Sequence, residues 1–240
     1  MPTVFLLRHG LTALTGPVLA GRQPGVHLDE RGQQQAADAA RRLAALPMVA
    51  VVTSPLERCT ETARRVLRAQ RAAGGRPVTR TERRLLECDY GDWTGREIKT
   101  LRKDPLWSVV QAHPSGATFP GGESMSGMAD RAVRAVRELD QRYGADYGPD
   151  ASWVACSHGD VIKAVLADAL GMHLDLFQRI VVDPCSVSAI RYTAGRPFVL
   201  MSNDTSGDLS RFVPPKAGRR RRYNADSDAT VGGGAGGGAV

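Results

Sequence analysis

Apolar residues along this chain fall into two kinds of run. Thr3-Val4-Phe5-Leu6-Leu7, Val49-Ala50-Val51-Val52-Thr53 and Ser152-Trp153-Val154-Ala155-Cys156 are short and lack polar alternation. They read as strands buried on both faces. Between them lie longer segments with helical spacing. Asp29 is placed to cap a helix running to about residue 45, with Ala36, Ala40, Leu43 and Ala44 on its apolar side. Ser54-Pro55 opens a second helix to about residue 73, with Pro55 at the first helical position, where a missing N–H costs nothing. Ser124 caps a long helix carrying Met128, Ala132, Val136 and Leu139, and a further helix spans 161–170. Three more strands are predicted over 78–81, 186–192 and 198–202. Proline and glycine interrupt 96–123, which leaves room there only for short helical pieces.

Strands separated by helices of this length imply βαβ crossovers. The predicted fold class is α/β: a three-layer αβα arrangement around a mainly parallel central sheet. Its extent is predicted as a single domain over 1–212. Beyond it the chain turns to Pro-Pro, then Arg219-Arg220-Arg221-Arg222, then a glycine-rich end. Residues 213–240 lack the apolar side chains that would offset the entropy of ordering them, so a disordered basic tail is expected.

The formal charge of +7 adds little to this picture, because the tail alone carries +3 of it. The body is mildly basic, which suits a small anionic substrate without demanding nucleic acid. The arginine run is read as a solvated tail rather than as a nucleic-acid or membrane contact. Cys59, Cys88, Cys156 and Cys185 are widely separated, with no Cys-x-x-Cys pair, and read as free thiols in a reducing cytoplasm. The histidines at 9, 27, 113, 158 and 173 show no metal-ligand spacing. No stretch approaches the roughly 20 apolar residues of a membrane span, and the N-terminal apolar run is too short for a signal sequence. A soluble protein is expected, its oligomeric state left open, a homodimer included.

Candidate chemistry gathers where strands should end. Arg8-His9-Gly10 follows the first strand, and Ser157-His158-Gly159 follows the strand ending at Cys156. Gly10 is read as the residue that lets the backbone turn sharply or approach a ligand. Arg58 lies one turn into the helix after the second strand. If the three strands are parallel neighbours, Arg8, His9, Arg58 and His158 meet beyond their carboxyl ends, where open α/β sheets bind ligands. Two arginines and two histidines in one crevice would repel one another unless an anion sits between them. Guanidinium forks match phosphate oxygens, so phosphate is the expected anion.

These segments resemble, in order, the motifs of the histidine phosphatase superfamily, the phosphoglycerate mutase-like proteins. The matching stretches are Leu7-Arg8-His9-Gly10, Ser54-Pro55-Leu56-Glu57-Arg58, Leu86-Glu87-Cys88-Asp89-Tyr90-Gly91-Asp92-Trp93-Thr94-Gly95, Pro120-Gly121-Gly122-Glu123-Ser124 and Ser157-His158-Gly159. The resemblance covers residues 3–205 and implies a phosphoglycerate mutase-like fold. It further implies that His9 accepts a phosphoryl group and that Arg8, Arg58 and His158 hold that group. Glu87 matches the family's proton donor, with Glu82 and Asp89 as neighbouring competitors. Thr12, Thr15 and Gly159 join the expected phosphate contacts; Thr15 stands where the family often has Asn. Gly21 and Arg22 lie in the loop that would meet the substrate. Neither a metal nor another cofactor is implied.

Chemistry on these residues is coherent. A neutral imidazole is a competent nucleophile when one ring nitrogen is free and the other donates to a fixed acceptor. Two arginines and a histidine can stabilise charge on the equatorial oxygens, and a buried carboxyl can protonate the leaving alkoxide. Other candidates read as structural. Asp160 and Ser124 are expected helix caps, His27, His113 and His173 surface or turn residues, Cys88 a bystander and Trp93 a packing residue. The compact stretch between Glu87 and His158 and the Trp-containing motif favour phosphomonoester hydrolysis of a small phosphorylated metabolite. The alternative is a phosphoglycerate mutase-type phosphomutase, and a third reading is a phospholigand-binding protein without catalysis.

Overall fold

The computed structural model describes residues 2–207 together with Leu209, Phe212 and Val213. The described residues form one sheet of six strands, β1 (Thr3–Arg8), β2 (Met48–Thr53), β3 (Val78–Thr81), β4 (Ser152–Ser157), β5 (Val187–Tyr192) and β6 (Pro197–Asp204). Their spatial order is β3-β2-β4-β1-β5-β6. The first four are mutually parallel, and β5 and β6 add antiparallel strands beside β1. Helices α1 (Glu30–Leu43), α2 (Glu57–Ala72), α3 (Ile98–Leu101), α4 (Pro105–Ala112), α5 (Met125–Tyr147) and α6 (Gly159–Ala169) complete the fold. The expected three-layer, mainly parallel α/β architecture is present. The basic tail expected over 213–240 lies, Val213 apart, outside the described residues.

Alternation along the central strands builds both layers of core. Val4 and Leu6, with Ala50, Val52, Trp153 and Ala155, pack towards α5 and α6 through Met128, Val136 and Val161. Phe5 and Leu7, with Val51, Val154 and Cys156, pack towards α1 and α2 through Ala36, Leu43 and Val66. Each fully buried Val, Leu or Phe among them contributes about 1.5–3 kcal/mol, and because both faces are covered the central strands show no polar alternation. Two predicted caps are in place: Asp29 accepts the Gly32 amide at 2.7 Å, and Ser124 accepts the Gly127 amide at 3.0 Å.

One predicted helix start is corrected. Helix α2 begins at Glu57 rather than Pro55, with Leu56 extended at its cap. The reason is tertiary: the Ser54 amide continues the β2 ladder by donating to the Cys156 carbonyl at 2.9 Å. That bond holds Ser54 extended and delays the helix. At the same carboxyl end of the adjoining pair β1 and β4, His9 donates its amide to the Ser157 carbonyl at 3.0 Å. Arg8 lies opposite Ser157 and Thr53 opposite Cys156. His9, Ser54 and His158 are therefore the first residues beyond three adjacent strand ends.

Candidate active site

His9 is 6% exposed, and its ring is fixed at both nitrogens. The Gly10 carbonyl can only accept and lies 2.8 Å from Nδ1, while Arg58 Nε–H can only donate and lies 3.2 Å from Nε2. Nδ1 therefore carries the proton, and Nε2 presents the lone pair. Burial, reinforced by Arg58 and Arg8, holds this imidazole well below its ordinary pKa. It is the neutral ring with one donating nitrogen that nucleophilic attack requires.

Gly10 serves a different purpose from the one expected. Its φ is not positive, but a Cβ there would stand 2.6 Å from the Gly32 carbonyl oxygen. The residue permits a close approach of the loop after β1 to the first turn of α1, and that approach aims the Gly10 carbonyl at His9. Gly10→Ala is expected to destabilise the fold by about 1–3 kcal/mol through overpacking against backbone. A shift in the urea midpoint at unchanged slope is the measurement that checks it.

Arg58 is 2% exposed and ties the site together. Its Nη2 donates to the Gly21 carbonyl at 2.6 Å and reaches His158 Nδ1 at 3.3 Å. Because the guanidinium only donates, His158 Nδ1 is the acceptor and Nε2–H faces the Ser54 hydroxyl, 2.8 Å away. Burial and then Arg58 hold His158 well below the ordinary histidine range as well. The expected four-way repulsion is thus reduced to two arginines, since both imidazoles are neutral. Arg8 donates through Nη1 to the Val182 carbonyl at 2.6 Å. Arg8 Nε and Arg58 Nη1 remain buried without a partner. Leaving such donors unpaired costs about 1–3 kcal/mol each, a cost that an oxyanion bound between them would offset.

Arg8, His9, Arg58 and Glu87 all line one cavity of about 410 Å³. Glu87 is 9% exposed, and its Oε1 accepts the Cys88 amide at 3.0 Å. Burial, with a smaller push from Asp160, raises its carboxyl to about 7. A carboxylic acid is therefore available at neutral pH beside a neutral imidazole and two guanidiniums. The remaining wall is largely apolar, from Leu14, Val18, Leu19, Ile98, Ile180 and Val181, with Lys163 its only further lysine or arginine.

The sequence model of the histidine phosphatase superfamily (branch 1) matches residues 4–205. The chain belongs to this superfamily. It is 28% identical over 220 residues to a probable phosphoglycerate mutase, GpmB, of Cronobacter sakazakii, covering 90% of this chain and 97% of the relative. It is 32% identical over 175 residues to the glucosyl-3-phosphoglycerate phosphatase of Mycolicibacterium vanbaalenii, covering 72% and 76%. Among solved structures, YhfR of Bacillus stearothermophilus superposes with a TM-score of 0.75 at 28% identity, covering 85% of this chain and 98% of that one.

Within this histidine phosphatase fold the other expected residues take several positions. Thr12, Thr15 and Gly159 line the cavity. The Thr12 amide donates to Thr15 Oγ1 at 3.1 Å, so the Thr15 hydroxyl also closes the loop it sits in. Gly21 lines the cavity too, but contributes its carbonyl to Arg58 rather than a donor to the ligand. His158 is fully buried and stands behind the cavity wall, against Arg58 and edge-on to His9 at 5.2 Å between ring centroids. Its two ring nitrogens are engaged by Arg58 and Ser54. Arg22 takes another place than the one expected. It does not line the cavity, because its Nε donates to the Glu87 carbonyl at 2.9 Å and its Nη atoms pair with Asp89 and Glu123.

Asp160 is no helix cap: His158 occupies that position in α6, and Asp160 Oδ2 accepts the Tyr90 hydroxyl at 2.7 Å. Glu82, a competitor for Glu87, is held by Arg84 and Arg80 instead. Trp93 packs against Trp107 and Phe119 as expected, and all four cysteines are buried free thiols. The side chains of His27, His113 and His173 are exposed and paired with carboxylates. Sequence reasoning missed Tyr90, Lys163 and the 180–182 segment as cavity wall. Only Tyr90 carried a signal, its place in the Glu87 motif. No helix of the described residues is long and apolar enough to cross a membrane, and no cluster of three potential metal ligands occurs among them.

Proposed function

We propose that this chain hydrolyses small phosphomonoesters by way of a phosphohistidine on His9. The observation that carries this reading is the single tautomer of His9, whose Nε2 lone pair points to Arg58 inside a cavity that also holds a protonatable Glu87. The substrate phosphate lies between Arg8 and Arg58 and takes the buried donors that have no protein partner. As Arg58 turns its Nε–H from the imidazole to a phosphate oxygen, Nε2 is freed to attack phosphorus. The ester P–O bond breaks while the N–P bond forms, and the Glu87 proton passes to the departing alkoxide. Glu87, now a carboxylate, takes a proton from the water that cleaves the N–P bond. The guanidiniums supply the charge at the equatorial oxygens. His158 supports Arg58 from behind.

Hydrolysis is favoured over phosphoryl return by the cavity wall. A mutase must hold an anionic hydroxy acid firmly enough to re-phosphorylate it. Beyond the phosphate end this wall offers one cation, Lys163, already hydrogen-bonded to Gln178 at 3.0 Å. The relative named glucosyl-3-phosphoglycerate phosphatase supports the same choice. The relative named probable phosphoglycerate mutase supports the alternative. With 3-phosphoglycerate in EDTA, with and without a bisphosphate primer, released phosphate is expected to exceed isomer formed. Primer-dependent isomer in excess of phosphate would establish the mutase instead. We take 1–212 as the catalytic unit and 213–240 as a tail; the position of the reacting side chains between Arg8 and His158 supports this reading. The four buried free thiols suit a cytoplasmic location.

A further inference from the structure

The segment carrying Glu87 has little regular secondary structure of its own, so its backbone groups must find partners elsewhere. They find them on two arginines and one carboxylate. Arg131, on α5, donates through Nη1 to the Arg84 and Leu86 carbonyls at 2.7 and 2.8 Å and through Nη2 to the Glu87 carbonyl at 3.1 Å. Arg22 donates to that same Glu87 carbonyl from the opposite loop. Glu123 binds both guanidiniums: Oε1 takes Arg131 Nη2 at 2.5 Å and Arg22 Nη2 at 2.8 Å, and Oε2 takes Arg131 Nε at 3.0 Å. Oε1 also accepts the Asp89 amide at 2.9 Å. The main chain on both sides of Glu87 is thus gripped by one connected ion network, with none of the three network side chains lining the cavity.

We infer that Glu123, Arg131 and Arg22 are positioning residues for proton donation: by clamping the main chain from residue 84 to 89 they hold the Glu87 carboxyl where the leaving alkoxide forms. The inference rests on the phosphatase reading above. Two features separate this role from general scaffolding. The clamp closes on the Glu87 carbonyl from two sides, with donors from a loop 65 residues and a helix 44 residues away in sequence. Neither Arg58 nor Arg8 makes a side-chain bond to Glu123, Arg131 or Arg22; the nearest link is the Gly21 carbonyl that Arg58 holds, next in the chain to Arg22. Charge-assisted, bidentate pairing of Arg131 with Glu123 gives the fixed geometry that a misplacement of the acid would forfeit.

The leaving group reports on this directly. Departure of an alkoxide needs the Glu87 proton, whereas p-nitrophenolate leaves without one. In Glu123→Gln, kcat/KM for glycerol phosphate is expected to fall by about tenfold or more. For p-nitrophenyl phosphate it should stay within about threefold, and inhibition by inorganic phosphate within about twofold, because the two guanidiniums at the phosphate are untouched. Arg22→Lys, which keeps the charge but loses the fork, is expected to show a smaller change with the same ester selectivity. It decides the question should Glu123→Gln fail to fold. An equal fall for both esters, or no fall for either, overturns the positioning role. Wild-type protein that hydrolyses neither ester overturns the phosphatase reading itself.

Discussion

His9→Ala is expected to lower kcat/KM for every phosphomonoester by about 10⁴-fold or more, the scale seen when a covalent nucleophile is removed. The substitution takes away the only buried imidazole nitrogen that both lines the cavity and has its lone pair held by an arginine N–H. His158 cannot substitute for it. Its ring lies behind Arg58, with one nitrogen accepting from that guanidinium and the other facing Ser54. Binding of inorganic phosphate should survive the change, since Arg8 and Arg58 keep their own anchors at Val182 and Gly21. Loss of turnover with retained phosphate binding is therefore the signature, read by parallel kinetics and calorimetry.

Glu87→Gln should lower kcat/KM for an alkyl phosphate by about 10²–10⁴-fold, the usual worth of a general acid, and spare p-nitrophenyl phosphate. The pH profile sharpens this expectation. His9 must be neutral, and burial with Arg58 and Arg8 places its proton uptake well below the ordinary 6.5, so the acidic limb lies at low pH. Glu87 must be protonated, and its carboxyl is raised to about 7, so activity is full below that pH and lost as pH rises through it. The alkaline limb belongs to Glu87, whose rise comes first from burial and then from the Asp160 charge. In Glu87→Gln the alkaline limb should disappear and leave a low plateau. Persistence of the limb in that variant would assign it to another group.

The parts of this site that could be read from the sequence are those whose structure and chemistry are local. A strand that ends in Arg-His-Gly announces both its burial and the place where its side chains emerge. The same holds for the strand ending before His158, and the resemblance then linked those ends to Arg58 and Glu87. What escaped was set by contacts between distant segments. Arg8 is anchored on a carbonyl 174 residues away, and nothing around Val182 marks it as cavity wall. Arg22 looked like a ligand residue because it follows Gly21, yet Glu87 and Glu123 draw it to the outside of the pocket. Pro55 would open a helix by propensity, but the Ser54 bond to β4 holds the chain extended for two more residues. By sequence Gly10 reads as a residue for a sharp turn or a ligand's approach, whereas its lack of a Cβ matters for packing on Gly32.

The account stands on covalent transfer to one ring nitrogen. Its most direct test is an acid-free quench of wild-type protein during turnover of a phosphomonoester, followed by mass spectrometry of the digest at neutral to alkaline pH. The account predicts one phosphoryl group on the peptide containing His9, stable to base, lost in mild acid and missing in His9→Ala. Turnover with no phosphorylated peptide at His9, or with the adduct at His158, would contradict it.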